Sequence, residues 1–448
     1  MKKTLCAFIG SLMLSGCSLL DIDPDNVVPS ESAFDDVKYY QQALNYVYRS
    51  LADANSNMQM TDFASDDFGK AYEGYSPSNY YVFKWDYSSQ PEPHIWASQY
   101  SLISKMNVLS DNYSIVPVPT EEERVQRDQI YAQAIALRAW SFFNLVQLYA
   151  PRYDGTNGQE LGIPLKLKLD REYLPQSPLE TVYGQIISDL EKAESIFVET
   201  SFTPLAADEE FVFGLDAVRA LKARVALFMG DLEMAKESAK SFIDRSFLSK
   251  EEYEKLWKDI ESSENQEVIF MTYDLSDTDE AQYLDYQEMY EFNSVSLATD
   301  LLLLFEDSDI RKYPEYINDI NMPSKYRIDY QTTLDQNLNY KHFRLAEQYL
   351  IYAEAVLDTN PSEALKVVNT LREARGASLY ATIDLKKIMN ERRLELFSEG
   401  LRFYDLKRIS ERLNITVERS SGELLVPGSK LYNWDIPLVE TNSNPYID

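Results

Sequence analysis

Glu391, Glu395 and Glu399 follow one another at intervals of four residues, so on an uninterrupted helix they would share one face. Paired carboxylates can hydrolyse a glycosidic bond, provided that one of them is protonated and serves as the acid. The neighbouring Arg392, Arg393, Arg402 and Arg408 oppose that role, because a nearby cation favours the ionised carboxylate whereas a general acid needs a raised pKa. The cluster therefore reads as a structural ion-pair network that pins the last helices, and a surface glycoside hydrolase is the less favoured alternative. His94 and His342, the two histidines, are far apart without a patterned acidic partner and read as ordinary loop residues. No GxSxG elbow, phosphate loop or zinc motif occurs. Asp66, Asp67, Asp274, Asp277 and Asp279 could offer oxygens to calcium, but the glycine and glutamate spacing of an EF-hand is missing. The expectation is a binding protein, not an enzyme, with neither metal nor cofactor.

The residues best suited to binding are rings. Tyr72, Tyr75, Tyr80, Tyr81, Trp85 and Tyr87 crowd one irregular stretch, and Tyr273, Tyr283, Tyr286, Tyr290 and Phe292 another. Sugars offer C–H faces that stack on such rings, and hydroxyls that need Asp, Asn, Gln or Arg at the margin. The candidate ligand contacts are Tyr72, Tyr75, Tyr80, Trp85, Tyr283, Tyr286 and Tyr290, with Asp66 and Asp67 nearby. Any one of these rings could equally pack its loop onto a scaffold.

The elements that must position them are helical. Residues 38–52, 96–110, 121–149, 179–198, 215–229, 232–245, 344–357, 362–375 and 384–397 carry helical periodicity. Strand-like runs such as Glu267 to Tyr273 are few. Residues 215–229 and 232–245 are separated by Gly230-Asp231, and 344–357 and 362–375 by a link holding Asn360-Pro361, so they form close pairs. In the first pair Ala217, Ala220, Ala223 and Ala226 allow close approach beside the apolar Val218, Leu221, Val225 and Phe228. Such hairpins resemble tetratricopeptide units, although their spacing is irregular. The fold class is thus all-α, with long loop excursions at 53–95 and 246–342.

Lys+Arg 43 against Asp+Glu 73 gives a formal charge of −30, which argues against nucleic acid as a partner. Lys2 and Lys3, an apolar run from Leu5 to Leu14, and Leu14-Ser15-Gly16-Cys17 read as a secretory signal over 1–16 with a bacterial lipobox. Lipidation of Cys17 would anchor the chain, and the acidic stretch after it would serve as a tether. With Cys6 lost to the signal and Cys17 to lipid, no disulfide, thiolate nucleophile or cysteine-bound zinc is expected.

Five segments resemble the SusD/RagB family of outer-membrane nutrient-binding lipoproteins. They are the lipobox with Leu20-Asp21 and Pro24; Trp96, Tyr100, Ile103 and Asn107, then Leu137-Arg138-Ala139-Trp140-Ser141-Phe142-Phe143-Asn144-Leu145 through Tyr149; Ala220-Leu221-Lys222-Ala223-Arg224 with Gly230-Asp231; Ala346-Glu347 through Ala355, continued to Arg375-Gly376; and Glu391-Arg392-Arg393-Leu394-Glu395-Leu396, Glu399-Gly400 and Arg402 to Arg408. Ala150 stands where the family usually has glycine. The resemblance places Trp96 and Tyr100 in the core and divides the chain into an N-terminal region, 17–225, and a C-terminal region, 226–448. It implies a glycan ligand, a cell-surface position on the outer membrane, and a SusC-like TonB-dependent transporter as partner. Peptide capture, as in RagB-type members, stays open.

Overall fold

The computed structural model describes residues 34–52, 57–70, 80–87, 94–204, 209–257, 267–272, 295–312, 315–317, 320–322, 325 and 339–447. Residues 1–16, expected to form a signal, and Cys17 lie outside these residues. The helices are α1 (Val37–Ala52), α2 (Asn57–Ala64), α3 (Tyr80–Phe83), α4 (His94–Asn112), α5 (Glu121–Tyr149), α6 (Leu179–Glu199), α7 (Leu215–Met229), α8 (Leu232–Ala239), α9 (Lys250–Leu256), α10 (Thr299–Leu302), α11 (Leu345–Val356), α12 (Pro361–Ala374), α13 (Leu385–Leu396), α14 (Arg402–Leu413) and α15 (Leu438–Ser443). None of the described helices is long and apolar enough to cross a membrane.

Helix α5 organises the rest. Thr120 and Glu123 close a capping box at its start, with N–H to side-chain distances of 3.2 and 2.9 Å, and the chain leaves the helix before Pro151. From Ile130 to Tyr149 it is buried on almost every side, between α4 and α6. Arg138 ties the three together: its guanidinium donates to both carboxylate oxygens of Asp189 on α6, at 2.9 and 2.8 Å, and to Asn107 of α4 at 3.0 Å.

The expected hairpins form. Helix α7 ends at Gly230, whose φ of +83° suits glycine, and Asp231 caps α8 by accepting from the Met234 N–H at 3.0 Å. Ala223 and Ala226 meet Ala235, Ala239, Ile351 and Ala355 in one buried cluster, so the small faces let α7, α8 and α11 approach closely. Helix α12 opens on Pro361 with Asn360 as its cap. Two boundaries differ from expectation. Helix α8 stops at Ala239 and gives way to a 3-10 turn over 240–242, and α13 stops at Leu396, so Glu399 lies beyond it. The division between 225 and 226 falls within α7, and the largest buried cluster draws from both sides of it.

Within the loop-rich parts, short strands pair antiparallel: β1 (Phe68–Lys70) with β3 (Val295–Leu297), and β2 (Val268–Thr272) with β6 (Tyr340–Arg344). Two further small hairpins are β4 (Glu315–Ile317) with β5 (Ile320–Met322), and β7 (Val417–Glu418) with β8 (Leu424–Leu425). His342 sits in β6 and not in a loop.

The turn after α13 is where the two halves of the chain lock. Thr61 donates to the Gly400 carbonyl at 2.9 Å, and the Gly400 N–H donates to Asp62 at 2.9 Å. Gly400 has a φ of +72°, and a Cβ there would stand 2.7 Å from the Met58 backbone. Gly422 has a φ of +95° with open space around it. Gly400→Ala is therefore expected to destabilise by more than about 3 kcal/mol, against about 1–2 kcal/mol for Gly422→Ala, whose only cost is conformational. Urea unfolding of the two variants checks the ordering, and equal losses would refute it.

Candidate ligand-binding site

One end of each ring-rich stretch meets the other at the β1–β3 ladder. In the β1–β3 ladder Lys70 faces Val295, so the chain after residue 70 and the chain before residue 295 leave the ladder at the same end. Thr272 faces Tyr340 across β2 and β6, so residues 273 onward likewise leave beside the chain that precedes 339. Arg393 of α13 clamps both bases. Its guanidinium donates to Asp67 at 2.6 Å, to Asp300 at 2.8 Å and to the Asp66 carbonyl. Arg402 makes a bidentate pair with Asp66 at 2.6 and 2.9 Å. Arg419 donates to the carbonyls of Phe83, Phe68 and Phe63 at 2.9, 3.1 and 2.7 Å.

Beneath the bases lies a buried ion-pair network. Glu395 is fully buried and accepts from Arg375 at 3.1 Å, Arg344 at 3.0 Å and Arg311 at 3.2 Å. Glu391 accepts from Arg311 at 2.7 Å and from Arg372, and Glu399 from Arg344 and Lys325, each at 2.6 Å. Glu267 closes the set against Arg375 at 3.0 Å. The structural reading of the glutamates holds, but their partners are not the adjacent arginines. Arg392 and Arg408 bind Asp405, at 2.9 Å each, and Arg408 also binds Glu354. Arg393 and Arg402 serve the loop bases. Arg311, Arg344, Arg372 and Arg375 approach from elsewhere in the chain, which local spacing cannot reveal. Burial alone would raise the Glu395 carboxyl, but Arg375, Arg344 and Arg311 outweigh it and hold it well below the usual carboxylate range. A group held ionised in this way cannot act as a general acid.

Several expected contacts are corrected by their surroundings. Trp85 is 3% exposed; its indole N–H donates to the Ala64 carbonyl at 2.8 Å, and the Arg419 guanidinium covers its ring at 4.5 Å. It is a core residue and offers no open stacking face. Tyr87 is also buried, stacked on Trp434 with centroids 5.1 Å apart. Asp67 is fully buried and Asp66 partly so, both committed to arginine. Burial would raise the Asp66 carboxyl, but Arg402 and Arg393 hold it low, whereas burial dominates at Asp67 and raises it. These acids fix loop geometry; Asp67 Oδ2 has no hydrogen-bond partner among the described residues, but it is buried and not presented to a ligand. Tyr80 opens α3, while Tyr72, Tyr75, Tyr283, Tyr286 and Tyr290 lie outside the described residues. His342 contacts Trp140 with ring centroids 4.7 Å apart, and its Nε2 lies 3.0 Å from the Thr272 hydroxyl. Burial and the Arg224 charge push its imidazole down to about 3, so it is a neutral packing residue at physiological pH. Among the described residues no group of three or more His, Cys, Asp or Glu is placed to hold a metal ion.

Residues 306–424 match the family model described as the SusD family, and residues 18–227 match the model described as "Starch-binding associating with outer membrane". The chain belongs to the SusD/RagB family. A SusD-like protein of Formosa agariphila is 23% identical over 92% of this chain and 92% of its own. Among solved structures, a SusD-like carbohydrate-binding protein from Bacteroides vulgatus superposes with a TM-score of 0.78 at 22% identity, covering 92% of this chain and 98% of its own. A laminarin-binding SusD-like protein superposes with a TM-score of 0.71 at 20% identity, covering 93% and 99%. Of the segments that carry the resemblance, the one ending at Gly376 supplies Arg372 and Arg375 to the buried network and the last supplies Glu391, Glu395 and Glu399, while Glu267, Arg311, Lys325 and Arg344 come from outside them.

Glu395→Gln should cost about 3–5 kcal/mol, since it leaves buried guanidiniums short of charge. Because the folded carboxyl titrates below its ordinary 4.5, its contribution is complete above about pH 4.5 and fades as the pH falls below that value. In thermal melts between about pH 3 and 7 the gap between wild type and variant should therefore be constant above about pH 4.5 and narrow, without closing, toward pH 3. A gap independent of pH would contradict this.

Proposed function

We propose that this SusD/RagB protein is a cell-surface lipoprotein that captures oligosaccharide and passes it to a SusC-like TonB-dependent transporter of the outer membrane, without acting on the ligand chemically. The observation that carries the reading is that one end of each tyrosine-rich stretch meets the other at the β1–β3 ladder, whose flanking Asp67 and Asp300 are clamped by Arg393, on a fold shared with neighbours named as carbohydrate- and laminarin-binding. Support for the outer membrane comes from the description of the matching family model. The captive glutamates weigh against hydrolysis by that cluster, because each is enclosed by cations.

Tyr72, Tyr75, Tyr80, Tyr283, Tyr286 and Tyr290 are the ligand contacts in this reading, and Trp85 supports them from below. Removing one ring costs about tenfold in affinity at most, since stacking contributes about 0.5–1.5 kcal/mol beyond area. Tyr75→Ala with Tyr286→Ala takes one ring from each stretch. Calorimetry against a panel of neutral oligosaccharides should show binding by wild type, loss in the double variant, and ligand of unchanged length after incubation. Shortened ligand would indicate a hydrolase. Affinity for short peptides in place of glycans would turn the reading to peptide capture.

Anchoring has its own test. Cys17→Ala should release the protein from the membrane fraction and abolish incorporation of labelled palmitate, because Cys17 is the only thiol after the signal. Palmitate that still enters the Cys17→Ala protein would overturn the lipidation.

A further inference from the structure

A concavity lies where α4, residues 164–174 and α15 meet. It encloses about 300 Å³, at the lower end of the ~300–1,000 Å³ usual for small-molecule sites. Trp96 and Tyr100 line it with ring centroids 5.0 Å apart, and Tyr100 is fixed by donating its hydroxyl to the Pro164 carbonyl at 2.8 Å. Tyr173 and Val439 also line it, and they are 52% and 65% exposed. The half-exposed Tyr173 offers a stacking face, while Trp96, 4% exposed and packed on Tyr100 and Tyr149, is part of the wall.

The polar groups are placed to read hydroxyls. Asn444 donates to the Leu174 carbonyl and to one oxygen of Glu440, both at 3.0 Å, which orients the carboxylate and leaves its other oxygen without a donor among the described residues. The Lys166 ammonium donates to the Glu172 carbonyl at 2.8 Å and to Asp170, so one of its three N–H groups is free. Ser104 donates to the Tyr100 carbonyl at 2.9 Å and keeps its acceptor lone pairs. A free carboxylate oxygen and a free ammonium hydrogen beside aromatic faces match a sugar ring, which offers a C–H face and hydroxyls that both donate and accept. An anion would meet Glu172 and Glu440, and a purely apolar segment would cover both charges without pairing them.

We propose that this groove is a second carbohydrate subsite, distinct from the tyrosine-rich loops, that holds one or two rings of a neutral glycan chain. The proposal rests on the glycan-binding reading above. Two linked sites would strengthen the grip on a long chain far more than on a short one.

The test compares the full-length protein with Tyr173→Ala and Glu440→Gln. The probes are amylopectin, laminarin, xylan and galactomannan in affinity gels, with hexasaccharides of the same linkages in calorimetry. Tyr173 is exposed, so its loss should leave the melting temperature unchanged, and Glu440→Gln keeps its acceptor for Asn444. Both variants should bind polysaccharide at least fivefold more weakly, while Tyr75→Ala with Tyr286→Ala acts on the other site. Glycan binding by wild type that neither groove variant weakens would overturn the subsite and leave the glycan reading intact. Wild type that binds none of the probes overturns both. Competition at the groove by apolar peptides but not by hexasaccharides would assign it to a protein segment instead.

Discussion

Glu395 is a carboxylate with no exposure, surrounded by Arg311, Arg344 and Arg375, which are themselves almost wholly buried. Removing any of these ions from water is costly, and mutual attraction offsets that cost only while every partner is present and well placed. The cluster is therefore less a source of net stability than a geometric constraint. Arg344 ends β6, Arg375 follows α12, Arg311 belongs to the segment after α10, and Glu267 precedes β2. A chain that displaced one of these segments would strand the charges of the others.

That constraint positions the loop bases. Helix α13 supplies Glu391 and Glu395 to the buried set and Arg393 to the clamp on Asp67 and Asp300. One short helix is thus held by ion pairs on one side and holds the β1 and β3 strands through another. Its cap is conventional, with Asp384 accepting from the Lys387 N–H at 2.8 Å, but its last turn stops at Leu396. Ser398 and Gly400 then take positive φ, and this bend carries Glu399 back to Arg344 and Lys325. The same bend brings Gly400 against Met58 and Thr61, so the N-terminal helices are joined to the ion cluster through a glycine.

Helical periodicity made the scaffold legible. Helix α5 has the bounds its apolar pattern demands, and the alanines of α7 lie where close packing needs them, because both are local consequences of the 3.6-residue repeat. The ion pairs were half legible. A run of glutamates among arginines announced a network, but partners such as Arg311 and Glu391 are 80 residues apart, and no local spacing encodes that. Trp85 shows the opposite failure. A tryptophan in a tyrosine-rich, aperiodic stretch looks like a ligand platform, yet its N–H finds the Ala64 carbonyl and its face finds Arg419. His342 read as a loop residue because β6 is only five residues long, too short for alternation to show.

The division between a charged base and ring-bearing loops has a consequence for how binding can vary. Arg393 fixes the distance between Asp67 and Asp300 by donating to both from one planar guanidinium, so the starting points of the two stretches are set by covalent geometry. In the proposed glycan-binding reading, substitutions beyond Lys70 or before Val295 would change which rings and amides are offered to a ligand. Substitutions at Asp67, Asp300 or Arg393 act on the frame and so on every ligand alike. The frame tolerates little because buried charges have few acceptable substitutes, and surface loops tolerate much because solvent already satisfies their backbone.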